Sequence, residues 1–114
     1  MRILLVEDDA PIRKAVLDVL VDEGFEVVAA ETGDQALERC RDEPLDVLVT
    51  DVRLPGKVNG WDVAEMCRKE NPRLPVIYAT GGFHSPSRVV PGAILFHKPY
   101  QPEEIIGAIR RLTS

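Results

Sequence analysis

The stretch ILLVEDD, residues 3–9, is a short apolar run that ends in three carboxylates. Three later apolar runs also end at a polar side chain: DVLVT precedes Asp51, PVIYA precedes Thr80 and AILFH precedes Lys98. If these runs are parallel strands, their carboxyl ends meet at one edge of one sheet, where open parallel sheets bind ligands. We therefore expect five side chains to gather at that edge: Glu7, Asp8, Asp51, Thr80 and Lys98.

Strands and helices alternate along the rest of the chain. Apolar runs predict five strands, at residues 2–7, 25–30, 46–50, 75–80 and 93–97. Helical spacing of apolar residues predicts helices after Asp9, after Thr32, over about Trp61 to Glu70 and over about 102–112. This alternation indicates an α/β fold, a parallel sheet covered by helices on both faces and doubly wound by right-handed crossovers.

The order of the strands decides which side chains face each other. In the flavodoxin-like order 2-1-3-4-5, the first and third strands are neighbours at a switch point. Glu7 and Asp8 then face Asp51 across a cleft. Between the fourth and fifth strands, residues 81–92 contain Gly-Gly, Pro86 and Pro91-Gly92. This composition predicts a fourth helix that is short or irregular, about residues 85–90, in the most mobile segment of the domain.

Length and charge limit the functions to consider. A chain of 114 residues forms one domain, residues 1–114. Its net charge of -5 gives no basic field, so we expect no direct nucleic-acid binding. The apolar runs are strand-sized and MRILLV leaves no room for a signal peptide, so we expect a cytoplasmic domain without membrane insertion. Cys40 and Cys67 make no CxxC motif, and we interpret them as buried small hydrophobic residues in a reducing compartment.

The five side chains suggest phosphoryl chemistry. Three carboxylates repel each other unless a cation lies among them, and oxygen ligands favour Mg²⁺. An aspartate can attack phosphorus, a lysine can neutralise phosphoryl oxygens and a hydroxyl can donate a hydrogen bond to another. Asp51, Lys98 and Thr80 suit these three roles. Taken singly, each residue has an ordinary explanation: an aspartate after a strand as a turn residue, the lysine as a solvated side chain and the threonine as a strand former. All five at strand ends in one chain argue against coincidence.

At these residues the sequence resembles the receiver domain of two-component response regulators, over essentially the whole chain. ILLVEDD looks like the acidic pocket of that family, which implies that Glu7 and Asp8 belong to a metal site. VTDVRLPG, residues 49–56, looks like the phosphoacceptor segment. The resemblance implies that Asp51 is phosphorylated and contributes to the metal site, and that the backbone carbonyl of Arg53 is a further metal ligand.

Two later segments carry the same resemblance. YATG matches the strand whose hydroxyl residue, here Thr80, coordinates the phosphoryl group. HKPY matches the segment of the phosphoryl-coordinating lysine, here Lys98, where the Lys-Pro peptide bond is often cis. YATGGF also resembles the FATGUY signature of a receiver subgroup with an irregular fourth helix, whose members often pair with kinases of the HWE type. The usual aromatic residue three positions before the lysine is replaced by Leu95.

The resemblance implies a signalling module and not an enzyme toward external substrates. Asp51 would accept a phosphoryl group, with Mg²⁺, from a histidine kinase or a phosphotransfer protein, and a downstream protein partner would read the changed surface. Mg²⁺-dependent self-phosphorylation from a phosphodonor and self-dephosphorylation are also expected. We expect no output domain after the last helix, and therefore either a stand-alone receiver or the receiver portion of a hybrid kinase or longer regulator.

The alternative from another class is a phosphatase of the haloacid-dehalogenase type, which also uses an aspartate nucleophile, a lysine and Mg²⁺. Its nucleophile ends the first strand in a D-x-D motif, whereas this chain has Glu7-Asp8-Asp9 there. It also needs acidic residues after the lysine strand, where this chain has Pro99-Tyr100-Gln101. Both mismatches disfavour it. A third hypothesis is a binding module whose phosphoacceptor site is unused. The presence of all five residues argues against it.

Overall fold

A computed structural model of the chain describes residues 1–82 and 88–114. Within that part of the chain, five strands alternate with four helices: β1 (Arg2–Val6), α1 (Ala10–Asp22), β2 (Glu26–Ala30), α2 (Gly33–Asp42), β3 (Val47–Asp51), α3 (Gly60–Glu70), β4 (Val76–Thr80), β5 (Ile94–His97) and α4 (Pro102–Thr113). No described helix is long and apolar enough to cross a membrane.

The five strands form one parallel sheet in the order β2-β1-β3-β4-β5, which confirms the predicted flavodoxin-like order. The register brings the strand ends together. Val6 is opposite Thr50, so that Glu7 follows at the level of Asp51. Asp51 is opposite Ala79, and Thr80 is opposite His97, directly before Lys98. The register therefore sets the spacing of the site.

Local side-chain hydrogen bonds start the helices that follow the strands. The Asp9 carboxylate accepts the Ile12 backbone N–H at 3.1 Å, and Pro11 occupies the first turn of α1, where its missing N–H leaves no partner unsatisfied. Asn59 and Asp62 form a capping box at the start of α3. Gly24, with φ of 91°, ends α1 in the left-handed conformation that favours glycine. Each helix thus begins just beyond the sheet edge that carries the site.

Alternate residues of each strand point to opposite faces of the sheet, and each face has its own apolar cluster. On one face, Leu4, Leu48 and Tyr78 pack with residues of α2 and α3. On the other, Ile3, Val49 and Ile77 pack with residues of α1 and α4. All six of these strand residues are at most 2% exposed. The polar strand ends project from the edge of this helix-covered sheet.

The segment between β4 and β5 is described only in part. The predicted irregular fourth helix at about residues 85–90, and the predicted mobility of residues 81–92, fall in part on residues 83–87, outside the described residues. Both therefore stay predictions. At residue 88 and beyond, the chain is described again, and Arg88 forms ion pairs with Asp62 at 3.0 Å and with Glu65 at 2.7 Å. The Val90 N–H donates to the Tyr78 hydroxyl at 3.2 Å, so the returning chain is held against α3 and β4.

Candidate functional site

The polar strand ends lie at the carboxyl edge of the sheet. Glu7 directly follows β1 and is buried, at 3% exposure, and Asp51 ends β3 at 6%. Thr80 ends β4 and is fully buried. Lys98 directly follows β5 and is partly buried. Ionisable side chains are rarely buried without a partner. The contacts of Glu7, Asp51 and Lys98 therefore indicate which groups this edge of the sheet can bind.

Lys98 holds the two buried carboxylates. Its Nζ donates to Glu7 Oε1 and to Asp51 Oδ2, each at 2.9 Å. The ammonium joins strand ends that are remote in sequence and offsets part of the repulsion between the carboxylates. These hydrogen bonds raise the pKa of Lys98 above its usual value although burial lowers it, so the side chain stays charged at neutral pH.

Glu7 is the more perturbed of the two buried carboxyls. Burial and the neighbouring Asp51 carboxylate raise the pKa of Glu7 to about 7. Its Oε2 accepts the Asp9 backbone N–H at 3.3 Å, and the Arg13 guanidinium donates to its backbone carbonyl at 2.9 Å. The raised pKa of Glu7 indicates that the Lys98 ammonium alone does not fully compensate the two buried carboxylates. The remaining negative charge favours the binding of a further cation.

Asp8 completes an acidic cluster with these two residues. Glu7, Asp8 and Asp51 each place one carboxylate oxygen within 4.8 Å of the others. Asp8 is exposed whereas the other two are buried, so the cluster opens to solvent on one side. An oxygen-only donor set of carboxylates with an open side fits Mg²⁺, which keeps several waters and binds phosphate oxygens. The residues present therefore fit the predicted cofactor.

The remaining predicted residues surround this cluster. Thr80 Oγ1 accepts the Gly82 N–H at 3.3 Å, and the Thr80 carbonyl accepts the Lys98 N–H at 2.7 Å. Arg53 is exposed, two residues beyond Asp51, and the role of its carbonyl stays a prediction. The Lys98–Pro99 peptide is cis. The structure thus brings Glu7, Asp8, Asp51 and Lys98 into one cluster, with Thr80 beside it on the next strand.

Two neighbours of the cluster were not singled out from the sequence. Tyr100 lies close enough that burial and the charge of Glu7 raise its pKa to about 12. Gly60, the first residue of α3, packs against the backbone of Asp51 and Val52, and its N–H donates to the Val52 carbonyl at 2.8 Å. The Tyr in HKPY and the glycine before Trp61 were available signals. Only the three-dimensional packing shows that both lie beside the site.

The comparison with protein families decides the classification. A family model described as the response regulator receiver domain matches residues 3–110. The chain belongs to this family. Receiver domains are signalling modules of two-component systems that accept a phosphoryl group, and the phosphatase alternative is not favoured. The receiver fold and the acidic strand ends agree with this assignment.

Individual relatives cover nearly all of the receiver domain. The transcriptional regulatory protein CpxR of Escherichia coli (strain K12) is 34% identical over 116 residues, which are 97% of this chain and 48% of CpxR. A crystal structure of a response regulator receiver protein from Sinorhizobium medicae is 32% identical with a TM-score of 0.93, covering 99% of this chain and 94% of that one. The response regulator TrrA of Thermotoga maritima, in complex with Mg²⁺-BeF, is 28% identical with a TM-score of 0.85 and 97% coverage of both chains. The chain spans about half the length of several curated relatives that it matches.

Proposed function

We propose that residues 1–114 act as one receiver domain in which Asp51 accepts a phosphoryl group from a phosphohistidine of a histidine kinase or a phosphotransfer protein. The observation that carries this proposal is the Asp51 carboxylate at the open sheet edge, which clusters with the Glu7 and Asp8 carboxylates and accepts a hydrogen bond from the Lys98 ammonium at 2.9 Å. Negative charge for a metal and positive charge for a phosphoryl group therefore both lie next to the Asp51 carboxylate. Phosphoryl transfer needs this positioning and charge neutralisation above all.

The transfer forms one bond and breaks one. A carboxylate oxygen of Asp51 bonds to phosphorus as the phosphorus–nitrogen bond of the phosphohistidine breaks, and the imidazole leaves with the electron pair. Lys98 then exchanges its contact with the Asp51 carboxylate for a contact with a phosphoryl oxygen. The carboxylates of Glu7, Asp8 and Asp51 and the carbonyl of Arg53 would hold Mg²⁺, which neutralises charge on the phosphoryl oxygens.

Thr80 links the phosphoryl group to the surface. Its hydroxyl is the acceptor for the Gly82 N–H, so a hydroxyl drawn toward a phosphoryl oxygen weakens that hydrogen bond. The surface at Thr80 and Gly82 would then change, and a downstream protein partner reads that change. With a net charge of -5 we propose a protein and not a nucleic acid as the direct partner of this domain. Self-phosphorylation from small phosphodonors and self-dephosphorylation are part of the same proposal.

Mg²⁺ is expected to raise the melting temperature of the protein. A cation that binds only the folded cluster stabilises it by mass action, by about 2.7 kcal/mol at one hundred times the dissociation constant. Thermal melts in a Mg²⁺ titration, with Na⁺ added to match the ionic strength, measure the effect. Asp8→Ala should remove most of the response because it deletes the exposed ligand of the cluster.

Asp34→Ala is the matched control for that experiment, since Asp34 is also exposed but lies in α2 outside the acidic cluster. It should retain the full Mg²⁺ response. If the unsubstituted protein melts at the same temperature at all Mg²⁺ concentrations, Glu7, Asp8 and Asp51 do not form a metal site.

Lys98→Ala is expected to abolish the structural response to beryllofluoride, a mimic of the phosphoryl group, while the fold persists. The ammonium is the positive group positioned to contact the mimic, and Lys98 lies after β5 outside both apolar clusters. Amide NMR spectra with Mg²⁺, before and after beryllofluoride, measure the response. Lys69→Ala, an exposed lysine of α3, should respond like the unsubstituted protein. Equal spectral changes in Lys98→Ala and Lys69→Ala would remove Lys98 from the mechanism.

A further inference from the structure

The two cysteines lie across the interface between α2 and α3, away from the phosphoacceptor site. Cys40 in α2 and Cys67 in α3 belong to one apolar cluster. Both side chains line a narrow cavity of about 50 Å³ between the helices, together with Leu37 and Met66. Both also line an adjoining cleft of about 330 Å³. The thiols therefore face a common space, although 26 residues separate them in the sequence.

The two thiols differ in access and in acidity. Cys67 is 1% exposed, whereas Cys40 is only half-buried, so a small reagent reaches Cys40 first. The Cys67 thiol, as a hydrogen-bond partner, lowers the pKa of Cys40 despite its partial burial. The same hydrogen bond and burial raise the pKa of Cys67. Cys40 thus has the features of an attacking thiolate and Cys67 those of a resolving thiol.

The surroundings favour covalent pairing over metal binding. Among residues 1–82 and 88–114, only Glu7, Asp8 and Asp51 bring three metal-ligating atoms within 4.8 Å of one another. The cysteine pair therefore has no third ligand within that distance in the described chain, whereas a structural zinc site uses four. A disulfide needs no ligand besides these two thiols, only an oxidant.

We infer that Cys40 and Cys67 are a redox-modification site, which a hydroperoxide converts to an intramolecular disulfide between α2 and α3. The Cys40 thiolate attacks one peroxide oxygen, the O–O bond breaks, and Cys40 becomes a sulfenic acid while the leaving hydroxide takes up the proton that the thiol released. The Cys67 sulfur then attacks the Cys40 sulfur, and the sulfenic oxygen leaves as water with the Cys67 proton. Two thiols and one H₂O₂ give one disulfide and two waters, and a dithiol reductant reverses the oxidation.

The disulfide would enclose the phosphoacceptor segment. The chain between the cysteines includes β3, Asp51 and the first residue of α3, Gly60. A bond between Cys40 and Cys67 restricts this whole loop in the unfolded chain and fixes α3 against α2 in the folded one. This modification is independent of whether Asp51 is phosphorylated, so its test stands apart from that of the proposed function.

The test is peroxide oxidation of the full chain under native conditions. After exposure to H₂O₂, remaining thiols are alkylated, the protein is digested without reduction, and cross-linked peptides are identified by mass spectrometry. We expect both free thiols to be lost together, a monomer lighter by two hydrogen atoms, a Cys40–Cys67 peptide pair, and full recovery of both thiols with dithiothreitol.

Serine variants separate the two roles. In Cys67→Ser, oxidation should stop at a Cys40 sulfenic acid, which dimedone traps. In Cys40→Ser, the buried Cys67 should be oxidised at least about ten-fold more slowly than Cys40 is in the unsubstituted protein. Circular dichroism shows whether each variant is folded. If both thiols survive peroxide that fully oxidises free cysteine in the same solution, or if the thiols pair only between molecules, the inference is wrong.

Discussion

Asp51→Asn is expected to lower the rate of phosphorylation by acetyl phosphate at least about a thousand-fold, to background. The amide has nearly the shape of the carboxylate but neither its charge nor a nucleophilic anionic oxygen. The substitution also removes the negative charge that faces Lys98, whose Nζ donates to Asp51 at 2.9 Å, and one carboxylate of the acidic cluster. The proposed nucleophile and the charge proposed to hold a metal are lost together. The measurement is the fraction of protein that gains a phosphoryl group, by intact mass spectrometry over time with Mg²⁺ present.

Asp22→Asn is the control for this experiment, because Asp22 is an exposed residue at the end of α1 outside the acidic cluster. It makes the same chemical change and should leave the rate unaltered. Melting curves of both variants establish that each is folded. Persistent labelling of Asp51→Asn at the rate of the unsubstituted protein would contradict the assignment of the phosphoacceptor.

Gly60→Ala is expected to destabilise the protein by about 2–4 kcal/mol. A β-carbon at this position would overlap the backbone carbonyl of Asp51 and lie 2.8 Å from the Val52 α-carbon, closer than packed atoms approach. The obstructing atoms are backbone, so no side-chain rotation relieves the overlap and α3 must move. Movement of α3 also strains the 2.8 Å hydrogen bond from the Gly60 N–H to Val52. Because the overlap involves Asp51 itself, phosphorylation should slow as well.

Gly107→Ala provides a control of opposite sign. Gly107 lies inside α4, and a β-carbon there would meet nothing within 4 Å. Alanine is the better helix former, so this variant should be more stable by about 0.5–1 kcal/mol. Urea unfolding curves measure the free energy of unfolding of both variants, and equal slopes show that the unfolding transitions are comparable. If Gly60→Ala unfolds at the same urea concentration as the unsubstituted protein, α3 does not pack against Asp51 as described.

The sheet and the composition of its polar edge could be predicted because they depend on local patterns. Apolar runs identify the strands, and parallel strands send their carboxyl ends to one edge whatever the details of packing. Glu7 and Asp51 therefore had to be near each other once β1 and β3 were neighbours. Strand ends differed by one residue: Glu7 was placed within the first strand but follows β1, and Asp51 was placed after the third strand but is the last residue of β3.

The contacts within the site could not be predicted, because they depend on side-chain reach across distant segments. Nothing local in HKPY shows that Lys98 contacts Glu7 and Asp51 together. The same holds for Tyr78, whose hydroxyl accepts the Val90 N–H and whose backbone pairs with Leu95 in the sheet. Cys40 and Cys67 were interpreted as separate buried residues, and only the rotation and packing of two helices turn them into a pair. Such contacts are set by tertiary packing.

Locating the phosphoryl group after incubation with acetyl phosphate and Mg²⁺ tests directly whether Asp51 is the phosphoacceptor. Borohydride reduces an acyl phosphate of aspartate to homoserine, which marks the modified residue permanently and can be sequenced by tandem mass spectrometry. We predict homoserine at position 51 alone, none when Mg²⁺ is removed by a chelator, and unmodified aspartate at positions 8 and 9. Homoserine at another aspartate, or labelling at position 51 that is unaffected by removal of Mg²⁺, would contradict it.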